Sequence, residues 1–96
     1  MAKGYWVVCY REITDPARLA TYAQLAGPAV QAGGGRFLVR GPAAHACEAG
    51  RMERTVVIEF DSLEHALAAH NSSEYKAALT ALGGAAVRDF RIVAGV

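Results

Sequence analysis

The chain lacks most of the features that would place it quickly. It has no internal linker and no low-complexity tract, and its 96 residues leave room for one core and not for two. Lysine and arginine are scattered, with a formal net charge of +1, so neither a nucleic-acid partner nor an anionic membrane is expected. No secretory or membrane-spanning run is present. Met1-Ala2-Lys3-Gly4 leads directly into Tyr5-Trp6-Val7-Val8, which is too short and too aromatic for the apolar region of a signal peptide. A cytoplasmic protein is the expectation. The two cysteines, Cys9 and Cys47, are then read as reduced thiols, because disulfides are rare in that compartment.

What is abundant is apolar surface. At 53% hydrophobic residues the chain is rich for its size. A domain this small buries only about 60 to 65% of the surface its unfolded chain exposes, so the excess implies that a second chain covers part of it. The clearest strand, Thr55 to Phe60, is β-branched and apolar on nearly every position, the mark of a strand covered on both sides. Asp61 ends it and is placed to cap the helix that follows, with Glu64 three residues on completing a box-like pattern. Leu63, Ala66, Leu67 and His70 share a face of that helix. Ser72 or Ser73 can cap a second segment in which Tyr75, Ala78, Leu79 and Leu82 recur at helical spacing, and Gly83-Gly84 closes it.

Earlier in the chain, Gly4 to Arg11 is a strand with Tyr5, Val7 and Cys9 on one side and Trp6, Val8 and Tyr10 on the other, both apolar. Asp15-Pro16 starts a helix, whose stripe runs through Leu19, Tyr22, Ala23, Ala26 and Val30. Gly27-Pro28 predicts a kink or a fresh short helix, since an interior proline removes one hydrogen bond and crowds the carbonyl four residues back. Gly33-Gly34-Gly35 ends the helix. It is not a phosphate-binding loop, which would run from a strand into a helix rather than the reverse. A second strand begins at Arg36, bends near Gly41 and continues to Cys47 or Glu48, and a hairpin turn over Ala49 to Met52 returns it to the central strand. The last strand, Val87 to Ala94, sets Phe90, Ile92 and Ala94 on one side and Asp89, Arg91 and Val93 on the other.

The order β-α-β-β-α-β is a ferredoxin-like plan: one α+β domain over residues 1–96, an antiparallel four-stranded sheet of order 4-1-3-2, and two helices on one face. The opposite face has no cover within the chain. An interface of roughly 1,600 Å² at about 25 cal/mol per Å² is worth on the order of 40 kcal/mol gross, well above association costs of roughly 4 to 15 kcal/mol. The plan therefore predicts a homodimer packed sheet against sheet.

KGYWVV near the start, TDP before the first helix, GGRFLVRG into the second strand, ERTVVIEFDSLEHALAAHNSSEY in the centre and RIVAGV at the end together resemble the domain of unknown function 1330 family along essentially the whole chain. The resemblance implies a dimeric α+β barrel, in which two ferredoxin-like protomers join their sheets. The wider superfamily includes cofactor-independent monooxygenases, isomerases and haem-binding members, so it permits several chemistries without choosing one. Where the family pattern would carry an aromatic pair and a proline, this chain has Ala69-His70-Asn71-Ser72-Ser73, which implies a thinner aromatic wall for any pocket there.

Glu59 stands out as a carboxylate inside an apolar strand, where it must be paired, hydrated or shifted in pKa. Arg40 is its natural partner if the two strands pair without a bulge, and an extra residue would change that. His70, on an apolar stripe, is a candidate general base. His65, five residues earlier, lies about 140° around the helix and cannot chelate a metal with it. His45, Cys47 and Glu48 form a loose cluster with no second set of ligands, so no metal and no cofactor are expected. Tyr22 and Tyr75 fit packing or a cavity wall between helix and sheet. Trp6 and Tyr10 fit either the dimer face or a pocket wall.

The leading expectation is a homodimer that holds a small organic ligand through Arg40, Glu59, Tyr22 and His70. An alternative is a cofactor-independent oxygenase or isomerase acting on a small organic acid or phenolic compound, with Glu59 or His70 as base and Arg40 steadying an oxyanion. A third is a structural or interaction dimer without a ligand. Either of the first two requires a cavity on the order of 300 Å³ on the barrel side.

Overall fold

In the computed structural model, which describes residues 2–96, seven elements follow one another: β1 (Gly4–Ile13), α1 (Pro16–Ala32), β2 (Arg36–Pro42), β3 (Arg54–Phe60), α2 (Leu63–His70), α3 (Ser73–Leu82) and β4 (Ala86–Ala94). The strands form one antiparallel sheet of order β2-β3-β1-β4, the expected 4-1-3-2 arrangement counted from the other edge. The helical stretch after β3 is two helices and not one, because Ser72 breaks the run: its side chain accepts from the Tyr75 amide at 3.2 Å and starts α3 afresh.

Helix starts follow side-chain chemistry closely. Asp15 caps α1 by accepting from the Arg18 amide at 3.1 Å, with Pro16 in the first turn. The cap of α2 is Ser62 and not Asp61. Ser62 takes the extended backbone that a cap needs and accepts from the His65 amide at 3.1 Å, whereas the Asp61 carboxylate is drawn to Arg36 and Lys3 at 3.2 and 3.5 Å. Helix α1 runs unbroken through Pro28. The carbonyl of Gln24, which loses its usual donor there, belongs to an exposed residue that water can reach. Of the three glycines after α1, Gly34 is the one with a positive φ, +85°.

Strand β2 stops at Pro42, short of Cys47, since proline has no amide to extend the ladder. The return to β3 is a loop closed at its base by the Ala43 amide on Met52 and at its tip by the Gly50 amide on the Cys47 carbonyl at 2.8 Å, with Glu48 left-handed at φ 53°.

The sheet register divides the strand residues cleanly. Trp6 stands opposite Ile58 and Ile92, Val8 opposite Val56 and Phe90, and Tyr10 opposite Arg88. These face the helices, whose own buried residues include Tyr22 and Val30 from α1, Ala66 and Ala69 from α2, and Tyr75, Ala78 and Leu82 from α3. Trp6 (1% exposed), Tyr75 and Phe60 (both 0%) are at the centre. The alanines let the helices approach: the Trp6 indole donates to the Ala66 carbonyl at 2.9 Å. Tyr5, Val7, Cys9, Val57, Glu59, Asp89, Arg91 and Val93 occupy the opposite side, which no helix covers.

Candidate functional site

Trp6 and Tyr10 belong to the helix side. Both side chains are buried and line a pocket between the sheet and α1. The alternation of β1 made both sides apolar, and the larger aromatics went where the helices could enclose them.

Glu59 and Arg40 are on opposite sides of the sheet. Arg36 stands opposite Glu59 and Phe37 opposite Ile58, but Val39 pairs with Val57, so Leu38 is the extra residue and the register shifts there rather than near Gly41. The shift turns Arg40 toward the helices, beside Val56, with its guanidinium 4.5 Å from the Phe37 ring centre. Glu59 instead binds Arg36 at 2.9 Å and accepts from the Tyr5 hydroxyl at 2.9 Å. The hydrogen bond from Arg36, and then that from Tyr5, holds the Glu59 carboxyl below its ordinary range. It is a structural carboxylate on the uncovered side, already satisfied.

His70 faces the aromatic cluster of Trp6, Tyr75 and Phe90, with ring centroids 5.8, 5.3 and 5.2 Å away. Burial, with Arg88 and Lys76 nearby, pushes its pKa down, so it is neutral near pH 7. The pocket beside Ala69 and Ser72 has no Trp, Tyr or Phe in its lining. The His45–Glu48 cluster sits in the β2–β3 loop, and no three His, Cys, Asp or Glu side chains among the described residues converge as a metal site. Cys9 and Cys47 are free and exposed.

The residue that sequence reasoning passed over is Arg88. It occupies the helix side of β4, two positions before Phe90, and its guanidinium lies 5.0 Å from the Tyr22 ring centre, 5.2 Å from Phe90 and 5.6 Å from Tyr10. One nitrogen donates to the Tyr22 hydroxyl at 3.0 Å, and that hydroxyl lies 2.7 Å from the hydroxyl of Tyr75. Tyr75 is fully buried, and Tyr22 is the acceptor within reach of its hydroxyl among the described residues, since Arg88 can only donate to it. A buried O–H left without an acceptor costs about 1 to 3 kcal/mol, so Tyr75 donates. Tyr22 then accepts from both Tyr75 and Arg88, and its own proton is free to point into the pocket. Burial, reinforced by Tyr22, pushes the Tyr75 phenol far above its ordinary range, so it remains a neutral donor. Burial opposes the charge of Arg88, the oxygens of Tyr22 and Tyr75 more than offset it, and the group is cationic.

Arg40, Arg54 and Arg88 all line this pocket, together with Tyr22, Phe37 and Phe90. Their exposure is graded: Arg40 is exposed, Arg54 and Arg88 half-buried. None of the three is ion-paired among the described residues, where the carboxylates in contact with a cation are Glu59, Asp61 and Asp89, each held by other partners. The pocket offers about 40 Å³, room for roughly three water-sized centres at about 10 to 15 Å³ each. Beside it, sharing Tyr10, Tyr22, Ala23 and Arg54, a groove of about 220 Å³ opens between α1 and the sheet. On the uncovered side a broader groove of about 780 Å³ runs beneath the β2–β3 loop past Cys9 and Asp89, whose carboxylate is held by Arg91 at 3.0 Å. The larger space is lined by carboxylate and cations together, Asp89 with Arg11 and Arg51, while the smaller one gathers three arginines and no carboxylate.

Fold and site together define a ferredoxin-like α+β domain with an arginine-lined crevice between its helices and its sheet. The chain belongs to the family described as domain of unknown function DUF1330, whose family model matches residues 3–96. No curated protein matches it. Among solved structures it is similar to RPA0582, a protein of unknown function from Rhodopseudomonas palustris, with a TM-score of 0.72 at 16% identity over 97% of this chain and 80% of that one. It is similar to a dimeric ferredoxin-like protein of unknown function from Thermobifida fusca YX, with a TM-score of 0.63 at 16% identity over 97% and 91% of the two chains. A Caulobacter crescentus CB15 protein, provisionally described as an antibiotic biosynthesis monooxygenase, matches with a TM-score of 0.60 at 16% identity over 99% and 90%. At these identities the likeness is one of fold.

Proposed function

We propose that this protein binds a small organic acid in the crevice between α1 and the sheet, its carboxylate held by Arg88 and the Tyr22 hydroxyl and its apolar body set among aromatic rings. The observation that carries this reading is the set of three arginines, Arg40, Arg54 and Arg88, that line one apolar pocket without a carboxylate among them. Taking a cation out of water without a counter-charge is costly, and a guanidinium beside a free phenol O–H is a ready-made carboxylate fork. In this reading Arg40 and Tyr22 contact the ligand in a crevice on the helix side, not in the barrel-side cavity expected from the sequence; Glu59 on the uncovered side and His70, a neutral ring behind Tyr75, lie outside it. A carboxylate occupies the enclosed space and the body of the acid the adjoining groove.

Thermal melting against a panel of small carboxylic acids, phenols and lactones tests this, since a ligand that binds only the folded state raises apparent stability by mass action. Protection by acids that disappears in Arg88→Gln and Tyr22→Phe is expected. Protection by neutral phenols alone, or none from any acid, would sink the reading.

The uncovered side supports association of two copies, sheet to sheet. Val7, Val57 and Val93 share it, with Val93 41% exposed and Val39 and Leu38, at the β2 edge, more so, and one structural neighbour is described as dimeric. Sedimentation at micromolar concentration should give twice the monomer mass, and Val57→Glu, which sets a carboxylate at the centre of that face, should give a folded monomer. Two exposed free thiols fit a reducing, cytoplasmic setting. No described helix is long and apolar enough to cross a membrane.

A further inference from the structure

Three guanidinium groups are more than one carboxylate needs, and their placement on the sheet is ordered. On the helix side Arg88 of β4 stands opposite Tyr10 of β1. Cys9 pairs with Thr55, so Arg54, one residue before Thr55, comes beside Tyr10 from the other flank, and Pro42 of β2 lies beyond it. With neighbouring strands about 4.8 Å apart, the backbones of Arg88 and Arg54 are about 10 Å apart with the Tyr10 ring between them. Arg40 stands opposite Val56, two residues along β3 from Arg54 and on the same side, at the exposed rim.

Arg88 and Arg54 are both half-buried, both unpaired, and held on either flank of one aromatic ring. Two like charges so placed repel through a medium less polar than water. A single carboxylate at Arg88 would quiet one of them and leave Arg54, which borders both the enclosed cavity and the outer groove, still without a counter-charge. The ligand complementary to this arrangement has two negative groups separated by a flat apolar spacer.

Building on the organic-acid reading above, we infer that the crevice is selective for a dicarboxylic acid with a ring-sized planar spacer, one carboxylate on Arg88 and Tyr22 and the other on Arg54 with Arg40 at the rim. Tyr10 and Tyr22 border both the inner cavity and the groove of about 220 Å³, so they give the flat spacer an aromatic wall in a space that the inner cavity does not offer. Arg40, exposed and stacked on Phe37, meets the incoming dianion first and steers it.

Calorimetric titration of the purified full-length protein at low salt with benzoate, benzene-1,4-dicarboxylate and phenyl phosphate tests the charge requirement. The dicarboxylate is expected to bind about tenfold or more tighter than benzoate, a difference of about 1.4 kcal/mol. Arg54→Gln should remove the tenfold difference between the dicarboxylate and benzoate, because Arg54 holds the second carboxylate; it is half-buried and makes no ion pair, so the variant should fold, as circular dichroism verifies. Arg88→Gln should weaken both ligands. Benzoate and the dicarboxylate binding equally would overturn the inference while leaving the organic-acid pocket standing. Phenyl phosphate binding tightest would overturn it in favour of one doubly charged head group. No binding by any of the three to the folded protein would overturn both this inference and the pocket it rests on.

Discussion

The two sides of this sheet are built from the same four strands, residue by alternate residue, yet they treat charge in opposite ways. On the uncovered side Arg36 is bound to Glu59 and Asp61, and Arg91 to Asp89, so charge that water could have screened is paired anyway. On the helix side, where water is scarce, Arg88 and Arg54 have no acid. If folding alone had shaped both, the pairing would be the other way round, since exposed pairs contribute about 0 to 1 kcal/mol and buried unpaired charge is costly. The helix side carries two half-buried cations without an acid, and the uncovered side sets Arg36 and Arg91 against carboxylates. Four comparisons break or sharpen that contrast.

Trp6→Ala should have the largest effect. The indole is buried, bonded to the Ala66 carbonyl and packed on Phe60, Tyr75 and Phe90 with centroids 5.1, 4.8 and 5.3 Å away. Removing it should cost about 3 to 5 kcal/mol, read from the denaturant midpoint. Tyr5→Ala, one residue away on the other side, should cost far less. A similar loss from both would mean that the uncovered side is as tightly packed as the core.

Two glycines make the same comparison at smaller scale. A Cβ at Gly35 would meet Val30 Cγ1 at 2.6 Å and Ile58 Cγ2 and Phe60 Cε2 at 2.9 Å, so Gly35→Ala should destabilise by about 1 to 3 kcal/mol through overpacking. Gly41, on the uncovered side, has nothing within 4 Å of the same position. Gly41→Ala should be neutral or stabilise by a few tenths to about 1 kcal/mol, because alanine narrows the unfolded ensemble. Equal melting temperatures for the two variants would contradict the division into a filled and an open side.

How much of this could be read from the chain differs between the two sides for physical reasons. The element order and sheet order followed from hydrophobic period and connection handedness, which depend on many residues at once. The side assignment of β1 did not, because Tyr5, Val7 and Cys9 are nearly as apolar as Trp6, Val8 and Tyr10, and only the volume of the helix layer separates them. The partner of Glu59 turned on one residue, Leu38, whose bulge moved Arg40 to the other side; a bulge has no hydrophobic signature. Arg88 was within reach. The stripe of Phe90 and Ile92, extended back by two, lands on it, and an arginine on the buried stripe of a strand is itself a signal. Tyr22 and Tyr75 were placed correctly by helical spacing, but their mutual bond needed the two helices side by side.

Direction within the Tyr22–Tyr75 pair gives a third test. Tyr22→Phe would leave the buried Tyr75 O–H without an acceptor and should cost about 1 to 3 kcal/mol. Tyr75→Phe leaves Tyr22 still bonded to Arg88 and should cost nearer 0.5 to 1.5 kcal/mol. The double variant should be less damaging than the sum, since no orphaned hydroxyl remains. Strict additivity, or a larger loss in Tyr75→Phe, would reverse the assigned donor and remove the free Tyr22 proton from the crevice.

The smallest expected effects are in pH, and here the two sides separate by window. His70, on the helix side, has a folded pKa pushed below its ordinary 6.5 by burial, then by Arg88 and Lys76. As pH falls through 6.5 the unfolded chain takes up a proton that the folded chain refuses, so stability declines from that point downward. Glu59, on the uncovered side, is held below its ordinary 4.5 by the hydrogen bonds of Arg36 and Tyr5. Its contribution is fully present above 4.5 and is lost only as pH falls further, through the depressed folded value. Melting temperature against pH should therefore bend twice on acidification, with His70→Gln removing the upper bend and Glu59→Gln diminishing the lower, which Asp61 and Glu74, also held below their ordinary range, share. Because Arg88 helps depress His70, a bound carboxylate on Arg88 should raise the His70 pKa and shrink the upper bend, while leaving the lower bend where it was. A ligand that moved the lower bend instead would place its charge on the uncovered side of the sheet, against Arg36, and not in the crevice.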